Sequence, residues 1–178
     1  MSHRFLIVVD MQNDFVDGAL GTREAVQIVP AVCERIRAAK EAGETVIATL
    51  DTHEENYMET SEGRHLPVPH CIRGSKGWQL NEQVADALGD SLRIEKPTFG
   101  SVRLPGIIED LAEKESDLEI ELIGLCTDIC VVSNALLLKA HFPEAKISVR
   151  PSCCAGVTPE KHEAALETMA SCQISSEA

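Results

Sequence analysis

The sequence predicts a three-layer, doubly wound α/β fold with a six-stranded, mostly parallel sheet in the order 3-2-1-4-5-6. Three observations carry that expectation. Short β-branched runs alternate with longer stretches of helical periodicity, which is the rhythm of strand–crossover–strand units. A length of 178 residues and an apolar content of 44% suit one domain, residues 1–178, around a substantial core. Reactive side chains recur just past the ends of the strand-like runs, where open α/β sheets bind ligands.

The strand-like runs are RFLIVV (4–9), TVIATL (45–50), SLRIE (91–95), LEIELIG (118–124), KISVR (146–150) and CQIS (172–175). Between the first two, Val26, Val29, Val32, Cys33 and Ile36 recur at helical spacing over 25–42, and Gly43 supplies a stop. Residues 81–88, 104–114, 129–140 and 159–170 read as further helices, the last opening on Thr158 and Pro159 as cap and first-turn residue. Residues 51–80 hold Gly, Pro, His and acidic residues without sustained periodicity. In a compact domain such a stretch is a functional loop.

Charge narrows the partners. Sixteen Lys and Arg stand against 29 Asp and Glu, and a formal charge of −13 repels nucleic acid and anionic membrane surfaces. The apolar N-terminal run is far shorter than the ~20 residues of a membrane span, and Asp10 ends it, so it reads as a strand and not a signal peptide. Seven cysteines, an odd number without CxxC spacing, point to reduced thiols and a cytosolic protein. Most should be small buried hydrophobes, so surroundings must single out a reactive one.

Strand ends supply those surroundings. The first run ends at Asp10, the second at Asp51 with His53 beyond it, the third at Lys96, and the fourth leads into a turn holding Cys130. In the order 3-2-1-4-5-6 the first and fourth strands are neighbours, which sets Asp10 beside Cys130. Thr127 or Asp128 can cap a helix whose first turn contains the thiol, and that position together with Lys96 should draw the Cys130 pKa below that of a free cysteine. Asp10 then serves as acid and base, and the N–H groups of Cys126 and Cys130 as an oxyanion hole. Taken singly, each signal also fits a turn former, a surface lysine or a structural cysteine.

These residues resemble a known family, the isochorismatase-like cysteine hydrolases, which include nicotinamidases and pyrazinamidases. VVDMQNDFVDGAL (8–20) looks like the family's opening segment, EKPTFG (95–100) its lysine turn and GLCTDICV (124–131) its nucleophile turn. The resemblance implies a triad of Asp10, Lys96 and Cys130, a cis bond between Leu125 and Cys126, and assembly into a homo-oligomer. Within the 51–80 loop, Asp51, His53 and His70 match the metal ligands of nicotinamidases, with Glu62 preferred over His65 as the fourth. Imidazole and carboxylate donors together suit a divalent metal, Zn²⁺ first, with Mn²⁺ or Fe²⁺ as alternatives.

The implied reaction is hydrolysis of a small-molecule amide, nicotinamide to nicotinate and ammonia, through a Cys130 thioester. Phe15, Trp78 and Phe99 are candidate walls for a flat ring. Arg103 stands where some nicotinamidases carry an aromatic residue, which leaves the substrate open. The alternatives are a metal-free isochorismatase-type or N-carbamoyl-amide hydrolase, and a non-enzymatic thiol or metal-binding module.

Overall fold

The computed structural model of the chain describes residues 2–112 and 117–178. Six parallel strands, β1 (Ser2–Val9), β2 (Thr45–Asp51), β3 (Leu92–Lys96), β4 (Asp117–Leu125), β5 (Lys146–Ala155) and β6 (Ser175–Ser176), form one sheet in the order β3-β2-β1-β4-β5-β6. That is the predicted order.

The helices are α1 (Asn13–Val16), α2 (Arg23–Glu41), α3 (Ser61–His65), α4 (Glu82–Leu88), α5 (Leu104–Leu111), α6 (Val132–His141) and α7 (Pro159–Ser171). They cover the sheet on both faces, which explains why its strands are apolar throughout rather than alternating. On β1, Leu6 and Val8 face α2 and α4, while Phe5, Ile7 and Val9 face α5, α6 and α7. All five are at most 1% exposed, and each such burial contributes roughly 1.5–3 kcal/mol. This makes β1 the spine of the molecule.

Several element bounds differ from the sequence-based expectation. CQIS holds no strand over its first residues, because α7 runs to Ser171 and Gln173 adopts a left-handed φ of 65° to turn the chain, leaving only Ser175–Ser176 as β6. Residues 113 and 114 of the predicted 104–114 helix lie outside the described residues. The 51–80 stretch contains a 3-10 turn at Tyr57–Glu59 and α3, both too short to show periodicity. The predicted 129–140 helix starts instead with a π-type turn, Thr127–Val131, that runs into α6.

Candidate active site

The site lies at the carboxyl edge of β1, β2, β3 and β4, where strand order reverses. Asp10 leaves β1 with a φ of 48°, a left-handed conformation uncommon for a residue with a Cβ. Across from it, Gly124 has a φ of 117°, and a Cβ there would collide with the Val9 carbonyl. Only glycine lets β4 pass so close to β1 before it turns towards Cys130. The Leu125–Cys126 peptide bond that follows is cis.

Asp10, Lys96 and Cys130 meet in the interior, at 0%, 1% and 4% exposure. Lys96 Nζ lies 2.7 Å from Asp10 Oδ2 and 3.4 Å from Cys130 Sγ, and donates to the Thr98 carbonyl at 3.0 Å. The carboxylate is asymmetric. Thr49 Oγ1 donates to Oδ1 at 2.7 Å, whereas Oδ2 is paired with the Lys96 ammonium.

Electrostatics at this spot correct one expectation. Burial pushes the Cys130 thiol well above the ordinary cysteine range, Asp10 pushes the same way, and Lys96 opposes both without prevailing. Burial likewise raises Asp10 against the pull of Lys96. Lys96 is held charged: burial works against it, but Asp10, Cys130 and Asp51 together outweigh burial. Burial thus favours the thiol form of Cys130, opposite to the direction expected from its turn and from Lys96.

The cap expectation also changes. Neither Thr127 nor Asp128 caps the nucleophile turn; Thr127 Oγ1 pairs with His162 Nδ1 at 2.7 Å, and Asp128 Oδ1 accepts from Val157 N–H at 3.0 Å. The two side chains tie the turn to α7 and to the connection before it. Within it, the Cys126 carbonyl accepts from the N–H groups of Ile129 and Val131, each at 3.1 Å, and passes over that of Cys130 between them. The Cys126 side chain is half-buried, and burial followed by Asp128 and Asp10 pushes its thiol up to about 12.

Beside this triad, Asp51, His53, Glu62 and His70 bring one ligand atom each within 4.8 Å of the others. Nε2 of His53 and of His70 lie 3.0 and 3.4 Å from Asp51 Oδ2, and both lie 3.6 Å from Glu62 Oε1. Ligand atoms about 2.0–2.2 Å from one ion stand roughly 3–3.6 Å apart in tetrahedral or octahedral geometry, so the group fits a divalent metal of the kind two nitrogens and two carboxylates select. His70 Nδ1 donates to the Val68 carbonyl at 2.8 Å, which turns Nε2 inward.

Folding explains how Glu62 arrives and His65 does not. Thr60 caps α3 by accepting from Gly63 N–H at 3.0 Å, and Gly63 sits where any Cβ would strike the Tyr57 carbonyl, so the helix packs down and carries Glu62 over the histidines. His65, at the far end of α3, is exposed and pairs with the Ser61 carbonyl.

Charge couples the two groups. Burial opposes ionisation of Asp51, yet His53, His70 and Lys96 hold its carboxyl well below the usual range. Burial raises Glu62, and Asp51 adds to that rise. His70 is raised, burial being outweighed by Asp51 and Val68. Lys96 Nζ is 3.7 Å from Asp51 Oδ1, and so faces both clusters.

The candidate ring walls divide. Phe15, in α1, is buried with its ring centroid 5.4 Å from that of His70. Trp78 is partly buried and donates through Nε1 to Thr52 Oγ1 at 2.9 Å. Phe99, 47% exposed, stands apart from this aromatic group, because the loop after Lys96 turns its ring outward while its carbonyl accepts from Asn134.

Sequence reasoning also missed three residues. Thr49 shares its strand face with Asp51 two residues on, a period-2 signal that could have been used. Tyr57, the chain's one tyrosine, is 1% exposed with its ring 4.8 and 5.0 Å from those of His53 and His70, and its hydroxyl donates to the Leu66 carbonyl at 2.8 Å. Gln12 lies inside the DMQND stretch and is wholly buried.

A sequence model of the isochorismatase domain matches residues 4–177. The nicotinamidase of Escherichia coli K12 is 29% identical over 192 residues, covering 93% of this chain and 89% of the relative. Among solved structures, the nicotinamidase/pyrazinamidase of Bacillus subtilis superposes with a TM-score of 0.85 at 27% identity, over 99% of this chain and 100% of its own. The pyrazinamidase of Pyrococcus horikoshii, solved in complex with zinc, gives a TM-score of 0.81 at 31% identity, over 98% of both chains.

Proposed function

The chain belongs to the isochorismatase family, and from that premise we propose that it is a metal-assisted cysteine amidohydrolase acting on nicotinamide. One observation carries the proposal: a buried carboxylate, ammonium and thiol lie against a four-donor cluster, with Lys96 3.7 Å from the cluster's Asp51. The donor cluster favours this over the metal-free reactions of the same fold.

In the proposed reaction, Cys130 Sγ attacks the carboxamide carbon as its proton passes to Oδ2 of Asp10. A thiol and a carboxyl that are both raised suit this transfer, since no free thiolate has to be maintained between turnovers. The N–H groups of Cys126 and Cys130 receive the oxyanion. The C–N bond then breaks as Asp10 returns the proton to the leaving nitrogen, ammonia departs, and an acyl thioester remains on Sγ. Water adds to that thioester with Asp10 as base, the C–S bond breaks, and nicotinate leaves with the thiol restored. Lys96 keeps its charge throughout and holds Asp10 and the sulfur in register.

Asp51, His53, Glu62 and His70 would hold the divalent ion, Zn²⁺ before Mn²⁺ or Fe²⁺, and when bound it supplies a Lewis-acid point for the pyridine nitrogen. Phe15 and Trp78 would flank the ring. The proposal extends to a cytosolic homo-oligomer. All seven cysteines are free, which suits a reducing compartment, and among the described residues no helix is long and apolar enough to cross a membrane.

The deciding experiment measures ammonia release from nicotinamide by the purified protein, by Cys130→Ala and by a chelator-treated sample restored with Zn²⁺. We expect turnover in the first, a loss of at least about 10³-fold in the second and recovery by metal in the third. Undiminished turnover by Cys130→Ala would refute the nucleophile.

A further inference from the structure

The residue that the mechanism leaves unused, and that the structure treats most carefully, is Gln12. β1 pairs with β2 only as far as Val9 opposite Thr49, because Asp10 turns away. Asp51 would then have backbone groups on that side without a strand partner. The Gln12 side chain takes the strand's place: its Oε1 accepts from Asp51 N–H and its Nε2 donates to the Asp51 carbonyl, both at 2.8 Å. The second Nε2 proton goes to the Trp78 carbonyl, also at 2.8 Å. One amide, 0% exposed, thus binds the strand end that carries a metal-site carboxylate and the segment that carries the chain's single tryptophan. The indole is tied separately, through Thr52, to the same strand end.

We propose that Gln12 is a positioning residue that couples the metal-site carboxylate of Asp51 to the ring wall at Trp78. Shifting either end strains the other through a rigid, fully satisfied amide, because a buried donor or acceptor left unpaired is costly. Ion uptake at Asp51 therefore sets the ring wall, and the ring wall sets ion affinity, as linkage between two sites requires. The inference rests on the metal cluster assigned above.

The full-length protein is stripped of metal and titrated with Zn²⁺ against a competing chelator while Trp78 emission is followed. We expect Zn²⁺ to shift the emission of the wild-type protein. Gln12→Glu puts an acceptor against two carbonyls, and Gln12→Met removes every polar atom at similar size. Each should lower Zn²⁺ affinity by about 10–100-fold, the range for partners that orient metal ligands, and abolish the emission response at saturating Zn²⁺. For nicotinamide, KM should rise more than kcat falls. Thr52→Val, which frees the indole without touching Gln12, should alter resting emission and weaken Zn²⁺ binding less than either Gln12 variant does.

Wild-type affinity and response in a folded Gln12 variant would overturn the coupling alone. A wild-type emission indifferent to bound Zn²⁺ overturns it whether or not the variants fold. A wild-type protein that takes up no Zn²⁺ overturns the metal cluster and the coupling together.

Discussion

Replacing Lys96 with Met keeps the stem of the side chain and deletes a charge that sits 2.7 Å from Asp10 and 3.7 Å from Asp51. Asp10 is 0% exposed, so the folded variant must either hold an unpaired carboxylate in the interior or protonate it. Protonation is the cheaper course. Its cost at pH 7 is bounded by the gap to an ordinary aspartate near 3.9, about 3 units, or roughly 4 kcal/mol at 1.36 kcal/mol per unit. Burial already raises Asp10 in the presence of Lys96, so the variant adds only the remainder. A loss of about 2–4 kcal/mol follows, at the lower edge of what breaking a buried ion pair costs.

Urea denaturation of four metal-free proteins, wild type, Lys96→Met, Asp10→Asn and the double variant, measures this directly. The double variant should lose less than the sum of the single losses, by about 1–3 kcal/mol, because neither charge is then stranded. The pH dependence has a defined sign. In Lys96→Met the carboxyl is raised in the folded state, so stability relative to wild type is best near pH 4 and declines as pH rises towards 7. Additive losses, or a deficit unchanged between those two pH values, would refute the assignment of Asp10 and Lys96 as a mutually compensating pair.

Three further outcomes are expected. Thr49→Val deletes the donor to Asp10 Oδ1 and frees the carboxylate to rotate, so kcat for nicotinamide should fall by about 10-fold with Zn²⁺ content unchanged, and Thr49→Ser should restore most of it. Glu62→Ala should lower Zn²⁺ affinity by at least about 10-fold in a competitive chelator titration, while His65→Ala leaves it intact. Glu121, which accepts from Arg35 and Arg150 at 2.6–3.2 Å, is held below the usual carboxylate range because those two cations outweigh burial. A carboxylate lowered in the folded state stabilises above its unfolded value and loses that contribution as pH falls. The deficit of Glu121→Gln should therefore be about 2–4 kcal/mol at pH 7 by urea denaturation and shrink below about pH 4.

The strands and the edge that carries their polar ends were legible because each rests on local pattern, while strand order followed from the doubly wound class those strands imply. The runs at 4–9 and 45–50 are apolar on both faces, and the residues that end them, Asp10 and Asp51, are polar where the sheet stops. The turns that hold Lys96 and Cys130 follow strand ends in the same way. The placement of Phe99 was not legible, because the direction of a loop side chain depends on the turn after Lys96, which has no sequence period. The ionisation of Cys130 was misjudged because it depends on a balance. A helix start and a lysine lower a thiol, but complete burial beside a second anion raises it more, and burial depth is a property of the packed molecule.

By itself, then, the amino-acid order determined which segments become strands, how they are wound, and which polar groups their ends present, since hydrophobic periodicity and chain chirality act over a few residues at a time. Only the tertiary structure decided which oxygen of Asp10 faces Lys96, that Glu62 and not His65 reaches the histidines, and that Gln12 stands in for a missing strand. Those outcomes turn on contacts between segments dozens of residues apart. There, ångström distances and the exclusion of water set the energies, and no local pattern encodes either.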